Sequence, residues 1–189
     1  MIEKRALLSI EQLNAMDRAL FEVRLGAVYE HSPWVAGQAW VARPFACADA
    51  VHAAMQRELM AASRARQLAL IRAHPQLIGR LAKPQDLTDV LTDILTDVLT
   101  EASRREQSSA GLDRCSEAQL TQLRELNRAY LERFGFPFVV AVRGLNTDEI
   151  IARMQEQLRG SEETEFHNSL EQIGRIARLR ISEIIHDKT

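Results

Sequence analysis

Apolar residues recur every three or four positions along most of the chain, which is the period of an amphipathic helix. The segment from Ala48 to Ala62 has this pattern, as does the shorter segment from Arg66 to Ala73. A long helix is predicted after Ser116, with a second one after Ser161. Their inward positions are Leu120, Leu123, Leu126, Tyr130, Leu131 and Phe134 in the first, and Phe166, Leu170, Ile173, Ala177, Ile181 and Ile184 in the second.

Polar side chains at fixed offsets mark where these helices begin. Ser9 with Gln12 and Ser116 with Gln119 form the capping-box pattern, in which each side chain accepts a backbone N–H of the first turn. Further N-caps are predicted at Asn14, Ser32 and Ser161, and residues from Asn146 to Leu158 are predicted to be helical. Gly135 and Gly160 follow helical segments and are expected to end them.

Only Phe136 to Gly144 has a strand-like composition. A lone extended run cannot build a stable sheet, so it is interpreted as a buried extended connector. The sequence therefore predicts an all-α fold, with roughly eight helices, one short extended connector and no sheet. The whole chain, residues 1–189, is expected to form a single domain.

A four-residue repeat occupies residues 87–102, with Leu-Thr-Asp or Leu-Thr-Glu in every copy. Its paired apolar residues would form a stripe on a helix, but threonine and aspartate are mediocre helix formers. The block is interpreted as a local duplication inserted in a loop before the helix that contains Ser103.

Composition narrows the classes of function. The chain has a net charge of −2, 46% hydrophobic residues and 26% charged residues. It therefore offers no basic field for nucleic acid and no polybasic membrane anchor. Its two cysteines, Cys47 and Cys115, form no C-x-x-C pair, and no apolar run is long enough to span a bilayer. Without a recognisable targeting signal, a cytoplasmic location is expected.

His74 is the most distinctive of the five histidines. It is predicted to lie at a helix C-terminus, whose carbonyl dipoles favour a protonated imidazole, and Pro75 restrains its backbone. This is a suitable position for a group that exchanges protons near neutral pH. The other four histidines are expected to be structural or solvated.

Ser103, Glu106 and Gln107 place a hydroxyl, a carboxylate and an amide close together. The simplest interpretation is a capping box with Ser103 as N-cap and Glu106 at the third helical position. Alternatively, the same cluster holds a planar polar heterocycle. Arg143, at the end of the apolar run, needs either a structural carboxylate or an anionic substrate if it is buried. No metal-ligand spacing is present.

Four stretches carry a resemblance to a known family. They are Glu30–Val35, Leu70–Leu77, Glu101–Leu112 and Arg133–Gly144. In these stretches the chain resembles the 2-oxo-4-hydroxy-4-carboxy-5-ureidoimidazoline (OHCU) decarboxylases of urate breakdown. The resemblance implies an all-helical, usually dimeric enzyme that needs no cofactor or metal and converts OHCU to (S)-allantoin and CO2.

The resemblance also implies roles for individual residues. His74 and Glu106 match the family's catalytic histidine and carboxylate. Residues expected to line the substrate are Pro75, Ser103, Arg104, Arg105, Gln107, Phe138, Val139, Val140, Ala141, Val142 and Arg143. The 87–102 block departs from the family pattern, because it places His74 and Glu106 further apart along the chain than is usual.

Three alternative functions remain open from the sequence. A hydrolase could use His74 as a base on a ureido or lactam bond, and it would release ammonia or leave a carboxylic acid. A helical interaction protein could use Trp34, Trp40 and the apolar stripe of residues 87–102 as a partner surface. A DNA-binding regulator fits the charge balance least well.

Overall fold

Helices make up almost all of the regular structure. The computed structural model describes residues 7–77, 103, 106, 108 and 112–186. Within residues 7–77 and 112–186 its eight α-helices are α1 Ile10–Asn14, α2 Arg18–Leu25, α3 Trp34–Ala39, α4 Ala48–Ala61, α5 Arg64–Arg72, α6 Glu117–Phe134, α7 Thr147–Gln157 and α8 Glu162–Ser182. Short 3-10 helices cover Trp40–Ala42 and Leu112–Arg114. The predicted all-α class is confirmed, and none of these helices is long and apolar enough to cross a bilayer.

One small departure from the expected fold is a pair of two-residue strands. Strand β1, Leu8–Ser9, runs parallel to β2, Ile185–His186. The Leu8 N–H donates to the carbonyl of Ile184 at 2.8 Å. The expectation of no sheet is therefore wrong in this detail, because two residues are too few to show the alternating pattern by which strands are recognised.

The helix ends largely follow the local signals in the sequence. The boxes at Ser9 and Ser116 are both formed, and Asn146 forms a third with Glu149. Ser161 Oγ accepts the N–H of Thr164 at 3.1 Å. Each of these caps depends only on residues within one helical turn, which is why the sequence reveals them.

Two predicted caps are wrong. Asn14 lies inside α1, and it is Asp17 that caps α2 by accepting the Leu20 N–H at 2.8 Å. The amide of Asn14 instead bonds both backbone groups of Phe45, a distant contact. In front of α3 the N-cap is Pro33 with no side-chain hydrogen bond, so Ser32 does not cap that helix.

The chain divides into two compact units, residues 1–70 with 174–189, and residues 71–173. We call them the first and second unit. The single-domain expectation for 1–189 stays a prediction. The 87–102 block lies outside the described residues. Buried side chains form the core of each unit, including Leu13, Phe21, Leu25, Val51, Met55, Leu59 and Ile181 in the first, and Leu123, Tyr130, Phe136, Ile150, Met154 and Leu170 in the second.

Both tryptophans are half-buried and make contacts within the first unit. Trp40 donates from its indole N–H to the carbonyl of Met16 at 3.2 Å, and the Arg43 guanidinium lies 3.9 Å from the centre of its ring. The guanidinium of Arg66 covers Trp34 at 4.0 Å. These intramolecular contacts account for the two rings without a partner protein.

Candidate active site

His74 lies in the turn that follows α5. Its backbone N–H donates to the carbonyl of Ile71 at 3.1 Å, which continues the last helical turn beyond Arg72. The residue is only 6% exposed, while Pro75 is half-buried and Leu77 is buried. The predicted position of His74 at a helix end is confirmed, and the structure adds that the residue is buried.

Two hydrogen bonds join the segment around His74 to α6. On the N-terminal side, Arg72 donates from Nε to the carbonyl of Gly135 at 2.9 Å. On the C-terminal side, Asn127 donates from Nδ2 to the carbonyl of Leu77 at 2.9 Å. We call residues 73–77 the His74 turn. Arg72, which lies just before this turn, is bonded to the glycine that ends α6, and Leu77, the last residue of the turn, is bonded to α6 itself.

Ser103 and Glu106 lie on helical backbone. Ser103 is 5% exposed and Glu106 is half-buried. Since Ser103 has helical backbone itself, it is not the flanking N-cap residue that the capping-box interpretation requires. Arg104, Arg105 and Gln107 lie outside the described residues.

The run from Phe136 to Val142 forms neither helix nor strand, with Phe136 in a bend. Tyr130 of α6 packs edge-on against the rings of Phe136 and Phe138, with centroids 6.1 and 5.3 Å apart. Val139, Val140 and Val142 are also buried. The predicted buried connector is confirmed, and aromatic packing fixes it against α6.

Two further details describe this connector. The Ala141 N–H donates to Gln172 Oε1 at 3.1 Å, so a side chain already uses this backbone donor. Arg143 is exposed, so the condition of burial under which it would need a structural carboxylate or an anionic substrate is not met. A turn explains this exposure, because Leu145 N–H bonds the Val142 carbonyl and Gly144 has φ of +83°.

A buried acid lies beside the aromatic packing, and the sequence analysis missed it. The Tyr130 hydroxyl donates to Glu165 Oε2 at 2.9 Å, and Asn168 donates to Oε1 at 3.0 Å. Glu165 is 1% exposed. Burial raises the pKa of its carboxyl above the ordinary value, although both hydrogen bonds act in the opposite direction. Burial is also the largest cause that raises the pKa of the Tyr130 hydroxyl, and the neighbouring Glu165 carboxyl raises it further.

Asn127 is a second residue that the sequence analysis did not identify. It is 7% exposed and lies on the buried face of α6 with Leu123, Tyr130 and Phe134. The helical spacing from Leu123 to Tyr130 could have identified it, since a polar residue on an apolar face is informative. Leu126, which was expected to face inward, is only half-buried.

All described residues of the predicted site belong to the second unit. This unit contains a buried imidazole, a buried hydroxyl, a half-buried carboxylate and an apolar connector. Such a set can move protons and exclude water around a small polar ring. No group of three or more potential metal ligands from His, Cys, Asp and Glu is found among the residues that the structure describes.

Comparison with known proteins gives a consistent result. The family model for OHCU decarboxylase matches residues 14–182. A 2-oxo-4-hydroxy-4-carboxy-5-ureidoimidazoline decarboxylase of Haloferax volcanii is 43% identical over 93% of this chain and 95% of its own. The corresponding decarboxylase of Mus musculus is 30% identical over 92% and 91% of the two chains.

Two solved structures have a similar fold. One, an (S)-allantoin synthase, has a TM-score of 0.71 at 24% identity, over 95% of this chain and 54% of its own. The other, an OHCU decarboxylase studied in the presence of (S)-allantoin, has a TM-score of 0.63 at 19% identity, over 91% of this chain and 100% of its own. Together with the relatives in sequence, the match over residues 14–182 establishes that this chain belongs to the OHCU decarboxylase family.

Proposed function

We propose that this protein converts OHCU to (S)-allantoin and CO2 in urate breakdown. The family membership of nearly the whole chain supports this reaction. The structural observation that carries the proposal is the buried His74, held by its turn in the same unit as Ser103 and Glu106. A buried imidazole in a turn whose backbone is held by hydrogen bonds at His74 and Leu77 fits a group that must transfer a proton with defined geometry.

The reaction suits this set of residues. The bond from C4 to the carboxylate breaks, and its electron pair forms a C4–C5 double bond as the neighbouring ring C=N takes up electrons on nitrogen. That nitrogen is then protonated. A second proton is added at C5, and the C4 hydroxyl loses its proton to give the carbonyl of allantoin. Selective protonation of one face of C5 sets the (S) configuration.

We assign two roles to His74 and Glu106. They steer the proton that leaves the C4 hydroxyl, and they deliver the proton that is added at C5. Positioned proton-transfer groups of this kind contribute roughly 100- to 10,000-fold to a rate. The proposed lining residues are Pro75, Ser103, Arg104, Arg105, Gln107, Phe138, Val139, Val140, Ala141, Val142 and Arg143. The buried valines of the connector support an apolar wall, which would strengthen electrostatic interactions with the substrate.

The test is a circular-dichroism time course with freshly generated OHCU and no added metal or cofactor. The wild-type protein should produce the (S)-allantoin signal rapidly, against slow spontaneous decay to racemic allantoin. We expect His74→Ala and Glu106→Ala each to slow this signal by about 100-fold or more. His167→Ala is the matched control, because His167 is exposed and pairs only with an exposed carboxylate of its own helix, Glu163.

The possible negative results of this experiment lead to different conclusions. If the wild-type protein does not accelerate the enantiomeric signal, the proposed reaction is wrong. Release of ammonia, or of a carboxylic acid with no CO2, would favour the hydrolase instead. If the wild-type protein is active and both His74→Ala and Glu106→Ala keep near-normal rates, the reaction stands and the site assignment fails.

The same family resemblance leads us to propose a homodimer that acts in the cytoplasm without a cofactor. Static light scattering of the purified protein measures its oligomeric state, and cell fractionation measures its location. Activity after exhaustive treatment with chelator and dialysis measures whether a cofactor is needed. A monomeric mass, a membrane-associated fraction or loss of activity would each contradict the corresponding proposal.

A further inference from the structure

Asn127 is a polar residue at a position that packing alone would give to an apolar one. It lies four residues after Leu123 and three before Tyr130, on the buried face of α6. It is 7% exposed. Its Nδ2 donates to the carbonyl of Leu77 at 2.9 Å, whereas Oδ1 is buried with no hydrogen-bond partner in the described part of the chain.

This arrangement has a cost in free energy. A buried acceptor without a partner loses its hydration and gains nothing in return. A leucine branches at Cγ with the same number of side-chain heavy atoms as asparagine, and although its methyl groups are bulkier it would occupy this apolar face without that loss. The amide orientation is not in doubt, because only the Nδ2 end can donate to a carbonyl. What asparagine supplies here, and leucine cannot, is the hydrogen bond to Leu77.

The hydrogen bond from Asn127 is made to the last residue of the His74 turn. Leu77 lies three residues after His74, and Arg72 lies two residues before it, with its own hydrogen bond to Gly135. Both bonds lead to α6 or to the glycine that ends it, but the Arg72 bond comes from a side chain, so only the Asn127 bond holds a backbone atom of the turn. Loss of the Asn127 bond would remove this backbone anchor.

We propose that Asn127 is a positioning residue for His74, acting through the carbonyl of Leu77. The proposal rests on the proposed function, because it concerns the geometry of the imidazole assigned there. Precise placement matters for proton transfer, since a shift of about 1 Å can reduce a rate about 100-fold. Asn127 itself is not assigned a contact with the substrate.

The main test variant is Asn127→Leu, which keeps the branching at Cγ and the number of side-chain heavy atoms and removes the donor. We expect kcat for the enantiomeric signal to fall about 10- to 100-fold while KM changes less than about 3-fold. Asn127→Asp is a second variant of the same shape, which loses the donor when its carboxyl is ionised. It should show the same division between kcat and KM, and it keeps the test possible if the leucine variant does not fold.

Leu123→Val is the matched control for stability. It removes a methylene one turn earlier on the same buried face and leaves the bond to Leu77 intact. It should lower the melting temperature, which measures packing, and leave the kcat of the folded protein unchanged. All rates are measured at a temperature at which circular dichroism shows each variant to be folded.

The outcomes separate this inference from the assignment of His74. If His74→Ala is inactive while folded Asn127→Leu and Asn127→Asp have wild-type kcat, the inference is wrong and the site stands. If Leu123→Val loses kcat as much as Asn127→Leu, the residue is merely structural and the inference is also wrong. If His74→Ala remains active, the proposed site itself fails.

Discussion

At the scale of single residues, the least expected feature is the buried carboxyl of Glu165. A glutamate in the first turn of a helix is normally solvated and favourable to the helix dipole. This one is 1% exposed and accepts hydrogen bonds from the Tyr130 hydroxyl and the Asn168 amide. The hydrogen bonds do not fully offset desolvation, because the pKa of the carboxyl stays raised.

This raised pKa predicts how stability changes with pH. Between the ordinary pKa of 4.5 and the higher value in the fold, the native state binds more protons than the unfolded chain. Glu165 therefore makes the free energy of unfolding decrease as the pH rises through this window. Glu165→Gln is neutral throughout, so we expect its free energy of unfolding to depend less on pH. Urea denaturation followed by far-ultraviolet circular dichroism from about pH 4.5 to pH 8 measures this.

Glu163→Gln provides the control for this prediction. Glu163 lies on the same helix, is exposed and pairs with His167, so its replacement changes the net charge equally without altering a buried group. Its pH dependence should differ from that of Glu165→Gln. Equal slopes for the wild-type protein and Glu165→Gln over the whole window would contradict the prediction.

At the scale of elements, Gly135 connects helix α6 to the extended run. It has left-handed backbone with φ of +71°, and its N–H donates to the Leu131 carbonyl at 2.8 Å. Its own carbonyl accepts the bond from Arg72. One residue therefore ends α6, starts the connector and holds the segment that leads to His74.

Gly135→Ala should destabilise the protein by about 1–2 kcal/mol, the usual cost of left-handed backbone for a residue with a Cβ. No steric clash adds to this, because the nearest heavy atom to a new Cβ would be an Arg72 guanidinium nitrogen at 3.6 Å. Gly135→Asn should cost less, because asparagine adopts this conformation more readily. Urea denaturation compares the two, and an equal cost for both would contradict the conformational explanation.

The sequence predicts the elements best where the cause is local. The capping boxes at Ser9 and Ser116 and the stop at Gly135 depend on neighbouring residues, and all three predictions are confirmed. Glu165 was missed because its burial depends on residues distant in the chain, whereas the helical spacing from Leu123 to Tyr130 could have identified Asn127. For the site, local signals pointed to His74 at a helix end and to Ser103 with Glu106, whereas the roles of the lining residues came only from the family resemblance.

At the scale of the whole chain, the N-terminal part and the last part of helix α8 contact each other in the first unit. Arg180 of α8 lies 2.9 Å from Glu30, and the two side chains are 5% and 0% exposed. The same arginine donates to the Val28 carbonyl at 3.3 Å. Glu30 belongs to the Glu30–Val35 stretch, which is part of the family pattern. Its structural role is to hold helix α8 through Arg180. It does not belong to the unit that contains His74.

A second ion pair on α8 offers a direct comparison. Arg178 contacts Asp49 at 3.1 Å, but these side chains are 63% and 66% exposed. Breaking a buried pair leaves a charge without compensation, at a cost of about 3–5 kcal/mol, whereas exposed pairs contribute about 0–1 kcal/mol. Arg180→Met should therefore destabilise the first unit far more than Arg178→Met does.

The measurement can be confined to the first unit, because both tryptophans of the chain, Trp34 and Trp40, belong to it. Urea denaturation followed by tryptophan fluorescence then reports the relevant transition. Replacing both partners, in Glu30→Leu with Arg180→Met, should recover much of the loss, because no buried charge remains. If the double variant is instead as unstable as the two single losses combined, the loss does not come from a buried uncompensated charge, and packing of the arginine side chain would explain it.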